Sequence, residues 1–278
     1  MVFPQENPMI PNRIHLLCSM SLPLFFRETG AGAPLIILHG IFGSGENWLT
    51  VSKKFADQFR VLLPDQRNHG RSPHTDAFSY SLLADDLETF STNQGINRFY
   101  LIGHSMGGKV AMQFAQQHPE RLLGLVVVDI APRHYPPHHT AVLQGLKAVD
   151  LGTCQSRNEA DAAMAQYITE SDVRQFLLKN LYRNESGKFA WRINLPVLER
   201  AALQVGEATN PEIVSRVPAL FIRGGKSRYI LPQDEDLIYH LFPLSQIKEI
   251  PDAGHWVHAE RPEAFAEMVL NFFTECRK

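Results

Sequence analysis

The sequence of 278 residues is poor in cysteine, in long apolar runs and in net charge of either sign. Only three cysteines occur, Cys18, Cys154 and Cys276, and their wide spacing is typical neither of a zinc site nor of a disulfide framework. Apolar runs such as Leu35–Leu38 and Leu125–Val128 are four residues long, far short of the roughly 18 that a membrane-spanning helix needs. Lys and Arg total 27 against 29 Asp and Glu, so the net charge of −2 does not favour nucleic acid as a partner. We therefore expect a protein of the reducing cytoplasm that does not bind nucleic acid.

One N-terminal stretch imitates a secretory signal, because the apolar run Ile14–Phe26 follows an arginine and precedes a small-residue turn. Pro23 lies inside this run, and charged residues follow it directly. We therefore predict a β-hairpin made of Arg13–Cys18 and Leu22–Arg27.

Buried strands and amphipathic helices alternate along most of the chain. This β-α order predicts a parallel sheet with helices on both faces. The predicted strands are Pro34–His39, Arg60–Leu63, Phe99–Ile102, Leu122–Val128, Ala219–Arg223 and Gln246–Ile250. The predicted helices of this layer are Glu46–Phe59, Ser81–Thr92, Gly107–Gln117, Pro232–Leu241 and Pro262–Glu275.

The alternation breaks after Asp129, where a helical block without a convincing buried strand begins. We predict an α/β core at residues 1–132 and 213–278, interrupted by a helical cap at residues 133–212. The predicted cap helices are Thr140–Leu151, Arg157–Ile168, Ser171–Tyr182 and Leu195–Val205.

Gly103-His104-Ser105-Met106-Gly107 stands between a predicted strand and a predicted helix. A Gly-x-Ser-x-Gly turn in that context presents its serine at the carboxyl edge of the sheet, as in a nucleophile elbow. The sequence therefore predicts Ser105 as a nucleophile.

The same residues allow a rival interpretation, since Gly103 to Lys109 nearly matches a phosphate-binding P-loop. The residue after the lysine is Val110, which has no oxygen for magnesium. A nucleotide hydrolase is therefore disfavoured.

A serine nucleophile needs a base and an acid. His255 follows a predicted strand and precedes the last helix, which places it at the same sheet edge as the serine. The loop where the acid is commonly found has Ser227 instead, so we predict Asp129, at the end of its strand, as the acid. Asp234 and Asp252 remain as alternatives.

His39-Gly40-Ile41-Phe42 follows the first buried strand and can offer a backbone amide to an oxyanion. The amide of Met106, the residue after the nucleophile, would be the second donor. The sequence does not decide whether Ile41 or Phe42 supplies the first. The polar stretch Asp65–Ser72 is interpreted mainly as a structural turn.

Together these motifs resemble the α/β-hydrolase superfamily, and within it the YbfF-type bacterial esterases. The resemblance covers nearly the whole chain and is carried by HGIFGS at His39–Ser44, RNHGRSP at Arg67–Pro73, GHSMGGK at Gly103–Lys109, VVDIAP at Val127–Pro132 and FIRGGKS at Phe221–Ser227. It implies Ser105 as nucleophile, His255 as base and Asp129 as acid. It also implies hydrolysis of short-to-medium acyl esters, with acyl-CoA thioesters as an open extension.

The resulting hypothesis is a serine esterase or thioesterase that needs neither a metal nor an organic cofactor. Apolar cap residues would line its acyl pocket, and Lys226 and Arg228 are candidates to meet an anionic group of the substrate. The candidate lining residues are Leu143, Leu146, Phe176, Leu177 and Trp191. A C–C bond or lactone hydrolase with the same triad, and a slow or non-catalytic receptor on this scaffold, remain as alternatives.

Overall fold

A computed structural model describes residues 22–137 and 139–277 of the chain. Its main sheet has seven strands in the order β1-β3-β2-β4-β5-β8-β9. Strand β1 is antiparallel to β3, and the other neighbours are parallel. The strands of this sheet are β1 Phe26–Thr29, β2 Ala33–Leu38, β3 Phe59–Pro64, β4 Phe99–His104, β5 Leu122–Val128, β8 Ala219–Gly224 and β9 Ser245–Ile250. The structure thus confirms the α/β class with a mostly parallel sheet.

Helices cover both faces of this sheet, and shorter ones fill the segment between β5 and β8. The α-helices are α1 Leu49–Ser52, α2 Tyr80–Asn93, α3 Met106–Gln117, α4 Thr140–Ala148, α5 Arg157–Met164, α6 Ser171–Leu178, α7 Leu195–Arg200, α8 Glu235–Leu241, α9 Val257–Glu260 and α10 Pro262–Glu275. Each is too short or too polar to traverse a lipid bilayer, so no such span lies in residues 22–137 or 139–277.

The central strands are buried on both sides, which explains their continuous apolar runs. On β2, Leu35 and Ile37 pack into the core that α10 covers, whereas Ile36 and Leu38 pack into the core under α2 and α3. Successive side chains of a strand point to opposite faces, so each central strand contributes to both cores.

Several sequence expectations were wrong in detail. The predicted helix Glu46–Phe59 is a 3₁₀ turn at Gly45–Trp48 followed by the four-residue α1. The segment between β5 and β8 also contains an antiparallel pair, β6 Leu181–Arg183 and β7 Phe189–Trp191, where only helices were expected. These strands are three residues long, too short to show a periodicity.

The predicted N-terminal hairpin lies partly outside the described residues, because Arg13–Cys18 is among those that the structure does not describe. Its other half is shifted, since the strand runs from Phe26 to Thr29 and pairs with β3.

Candidate active site

Ser105 sits in a sharp turn between β4 and α3 with φ 53° and ψ −119°. A non-glycine residue rarely adopts a positive φ, so the surrounding packing must hold it. Neighbouring glycines make the turn possible: a Cβ on Gly107 would lie 2.5 Å from the Leu38 carbonyl oxygen, and one on Gly103 would collide with Gly107 itself. The turn therefore fixes the Ser105 side chain at the carboxyl edge of the sheet.

His255 and Asp129 form an imidazole–carboxylate pair at the same edge. His255 Nδ1 lies 2.8 Å from Asp129 Oδ2, and Asp129 is fully buried. Asp129 directly follows β5 and has a positive φ of 51°. Its position at the end of β5 brings its carboxylate under the loop that carries His255.

Two further donors hold the Asp129 carboxylate. The Ser227 hydroxyl donates to Oδ2 at 2.5 Å, and the Gly224 amide donates to Oδ1 at 3.1 Å. Ser227 lies on the loop after β8, where the acid is more commonly found, and it contacts the Asp129 carboxylate from there. With three hydrogen bonds, the buried charge is well compensated.

The alternative acids lie elsewhere. Asp234 pairs with Arg133, with Oδ1 2.9 Å from Nε, and accepts a hydrogen bond from the Leu231 amide. Asp252 is exposed on the turn after β9. The structure therefore brings Ser105, His255 and Asp129 together and leaves these two outside.

Ser105 and His255 both line one cavity. Within the described part of the chain, no hydrogen bond joins the Ser105 hydroxyl to the His255 ring. In ligand-free enzymes such bonds are often long and tighten when substrate binds.

The sequence did not single out the groups that position His255. The His104 ring, through Nε2, donates to the His255 carbonyl oxygen at 2.9 Å. The Tyr229 ring stacks on the imidazole, with centroids 3.9 Å apart and planes 20° apart. The only signal for His104 was its place inside the serine turn, and Tyr229 gave none.

The loop after β2 is the candidate oxyanion loop. Phe42 has a positive φ of 60°, and its amide donates to His69 Nε2 at 3.2 Å. The ring of His69 is held in turn, because its Nδ1 donates to the Arg67 carbonyl at 2.9 Å. Burial lowers the pKa of His69 to about 3, so the ring is neutral and its Nε2 is free to accept.

A second buried histidine joins the same two loops. His39 Nδ1 donates to the Gly40 carbonyl at 2.8 Å, and Nε2 accepts from the Gln66 amide at 3.0 Å. Burial lowers the pKa of His39 to about 4. The polar stretch Asp65–Ser72 therefore fixes the shape of the candidate oxyanion loop.

The cavity that contains Ser105 has a volume of about 260 Å³. Phe176 and Leu177, predicted as lining residues, do line it, together with Ile41 and Phe42. The other lining residues are Gly40, Gly43, Asn47, Trp48, His104, His139, Val142, Val173, Tyr229, His255, Trp256 and His258.

Three predicted lining residues do not border this cavity. Leu146 and Trp191 border a separate groove, and Leu143 is buried in the hydrophobic core. An apolar position on a short helix or strand between β5 and β8 faces either the core of that segment or the cavity, and its spacing does not distinguish the two.

A second, more open groove of about 480 Å³ adjoins the site. Arg133, Lys226 and Arg228 line it, and it shares Tyr229 and His255 with the cavity. Among the residues that the structure describes, no cluster of three or more His, Cys, Asp or Glu side chains could hold a metal ion.

Comparisons with known proteins agree with this geometry. A model of the alpha/beta hydrolase fold family matches residues 33–262. The sn-1-specific diacylglycerol lipase ABHD11 of Mus musculus is 38% identical over 262 residues, covering 90% of this chain and 85% of that protein. Esterase YbfF of Escherichia coli K12 is 36% identical, covering 87% and 94%. The solved structure of a marine microorganism esterase is 43% identical, with a TM-score of 0.88 over 91% of this chain and all of that one.

Proposed function

The chain belongs to the α/β-hydrolase family and is a hydrolase of the esterase and lipase kind, and we propose that it is a serine esterase for short-to-medium acyl groups. The observation that supports this most strongly is the hydrogen bond from His255 to the buried Asp129, with the imidazole of His255 lining the same cavity as the strained Ser105. A serine is a weak nucleophile without such a base and acid.

In the proposed first step, the Ser105 hydroxyl attacks the acyl carbonyl while His255 Nε2 takes its proton. Asp129 accepts from His255 Nδ1–H, which keeps Nε2 unprotonated before attack and stabilises the imidazolium after it. His255 then gives the proton to the leaving alcohol, and an acyl group remains on Ser105.

Two backbone amides would hold the oxyanion of the tetrahedral intermediate. Met106 is the first residue of α3, so its amide has no partner within the helix. For the second donor we propose Ile41 rather than Phe42, because the Phe42 amide already donates to His69. Each such donor contributes roughly 100- to 1,000-fold to kcat.

In the second half of the reaction, a water takes the place of the leaving alcohol. His255 removes its proton, the resulting hydroxide attacks the acyl carbon, and Ser105 leaves with that proton. The products are a carboxylic acid and free enzyme, so the cycle needs no further group.

The size of the cavity supports a small acyl group. Its volume of about 260 Å³ lies just below the roughly 300–1,000 Å³ of small-molecule sites. Phe176 and Leu177 of the cap would contact the acyl chain, whereas Leu143, Leu146 and Trp191 would contribute only to the cap's packing.

A graded series of p-nitrophenyl esters tests this proposal. Each buried CH₂ contributes about 0.8 kcal/mol until the cavity is full, so we expect kcat/KM to peak at roughly four to eight acyl carbons. Ser105→Ala should abolish turnover of the whole series. Absence of turnover by the wild-type protein, or full activity in Ser105→Ala, would contradict the proposal.

Thioesters of coenzyme A are the second substrate class that we propose. The support is the groove beside His255, where Lys226 and Arg228 are exposed and could meet phosphate groups of the leaving thiol. The double variant Lys226→Ala/Arg228→Ala should raise KM for acyl-CoA and leave KM for p-nitrophenyl esters unchanged. An equal KM for acyl-CoA in both proteins would remove this extension.

A further inference from the structure

One wall of the cavity is polar, although the proposed mechanism does not require it to be. Asn47, Trp48, His104 and His258 line this part, which we call the polar wall. The Trp48 ring stacks on His258 with centroids 3.8 Å apart and planes 9° apart, and the rings of His104 and His258 lie 4.9 Å apart. The three rings therefore form one continuous surface, and Asn47 borders the same cavity.

This wall lies next to the reacting serine. A Cβ built on Gly40 would lie 3.0 Å from His104 Nδ1 and 3.3 Å from Ser105 Cβ. His104 Nε2 carries the proton that it donates to the His255 carbonyl. Since burial keeps the pKa of His104 well below its ordinary value, the ring is neutral and Nδ1 is a hydrogen-bond acceptor.

His258 adds a buried polar atom without a partner. The residue is only 4% exposed, and its Nδ1 forms no hydrogen bond with any described residue. Burial lowers the pKa of His258 to about 3, so this ring is also neutral. A buried polar atom without a partner is costly, and such atoms in native proteins usually mark a bound water or ligand group.

The chemistry of the wall restricts what it can bind. Among the described residues that line the cavity, none is Lys or Arg, so a carboxylate on the acyl chain would be buried without a permanent cation. A neutral imidazole offers one donor and one acceptor, which a hydroxyl group can satisfy. Val142, Val173 and Leu177 on the cap side suit the methylene groups of the same chain.

We propose that the polar wall is a subsite for a hydroxyl group on the acyl chain, so that esters of short hydroxylated acids are preferred substrates. This inference rests on the proposed esterase function. It assigns the polar wall to substrate selection, whereas Ser105, His255 and Asp129 perform the reaction.

Two esters of nearly equal size test the subsite: p-nitrophenyl 3-hydroxybutyrate and p-nitrophenyl 3-methylbutyrate, which differ by a hydroxyl in place of a methyl group. We expect wild-type kcat/KM to favour the hydroxylated ester by about 3- to 10-fold, the effect of one good hydrogen bond. His258→Phe removes both ring nitrogens and keeps an aromatic ring on Trp48, and it should lower this ratio to 1 or less. Val142→Ala, on the cap side of the same cavity, is the matched control and should leave the ratio unchanged.

The outcomes separate the two proposals. A wild-type ratio of 1 or less, or an unchanged ratio in a folded His258→Phe, overturns the subsite and leaves the esterase proposal standing. Failure to hydrolyse either ester overturns both. If His258→Phe does not fold, inhibition of the wild type decides: 3-hydroxybutyrate should bind at least 3-fold more tightly than 3-methylbutyrate, and equal inhibition contradicts the subsite.

Discussion

Replacement of Asp129 by Asn is the perturbation whose effect follows most directly from the geometry. The Gly224 amide donates to Oδ1, so the amide oxygen of an introduced asparagine would occupy that position. Its NH₂ group would then lie at the position of Oδ2, 2.8 Å from His255 Nδ1. Two donors cannot face each other, so His255 would hold its proton on Nε2, where the serine proton must go.

The expected loss in kcat for Asp129→Asn is about 10⁴-fold, which corresponds to about 5.5 kcal/mol of transition-state stabilisation. The assay is steady-state hydrolysis of a p-nitrophenyl ester, with the melting temperature as a check of folding. Asp234→Asn is the matched control, because Asp234 is also buried but pairs with Arg133. A loss of less than about tenfold in Asp129→Asn, or a larger loss in Asp234→Asn, would refute the tautomer argument.

Three further results are expected. Ser227→Ala removes the hydroxyl that donates to Asp129 Oδ2. It should lower kcat by about tenfold with little change in KM, because hydrogen bonds to charged groups contribute about 1.5–3 kcal/mol. An unchanged kcat would contradict this. His69→Ala leaves the Phe42 amide without its acceptor and should also lower kcat by about tenfold. The control His74→Ala, which changes an exposed histidine, should leave kcat unchanged. Equal effects of the two variants would refute a positioning role of His69. Burial lowers the pKa values of His39, His69 and His258 to between about 3 and 4. As the pH drops from 6.5 towards 4, the unfolded chain therefore takes up protons that the folded chain does not, and the free energy of unfolding should fall by about 1.4 kcal/mol per pH unit for each histidine. Equal midpoints of urea unfolding at pH 7 and pH 5 would contradict this.

The order of strands and helices could be predicted because buried parallel strands and long amphipathic helices have distinct apolar patterns. A series of turns can also bury apolar residues that are three and four positions apart, and its sequence then resembles that of a helix. Trp48, Val51 and Phe55 are three and four residues apart and all are buried, yet the chain turns repeatedly between Lys53 and Gln58 instead of continuing α1. Spacing alone does not distinguish these two backbones.

At the candidate site, the positions of Ser105, His255 and Asp129 could be predicted because each lies in the turn or loop after a strand whose carboxyl end is at the same sheet edge. The choice between Ile41 and Phe42 as oxyanion donor could not be predicted. It depends on the hydrogen bond from the Phe42 amide to His69, which lies on another loop. Nor did the sequence indicate the polar wall, which arises only when the end of β4 meets the helical turns that follow β2 and β9.

The central claim is that Ser105 is the nucleophile, and covalent labelling tests it most directly. Wild-type protein treated with a fluorophosphonate should gain one label per chain, lose its esterase activity in parallel, and carry the label on the peptide that contains Ser105. Ser105→Ala should neither label nor turn over ester. A label on a different residue, or undiminished turnover in Ser105→Ala, would contradict the account.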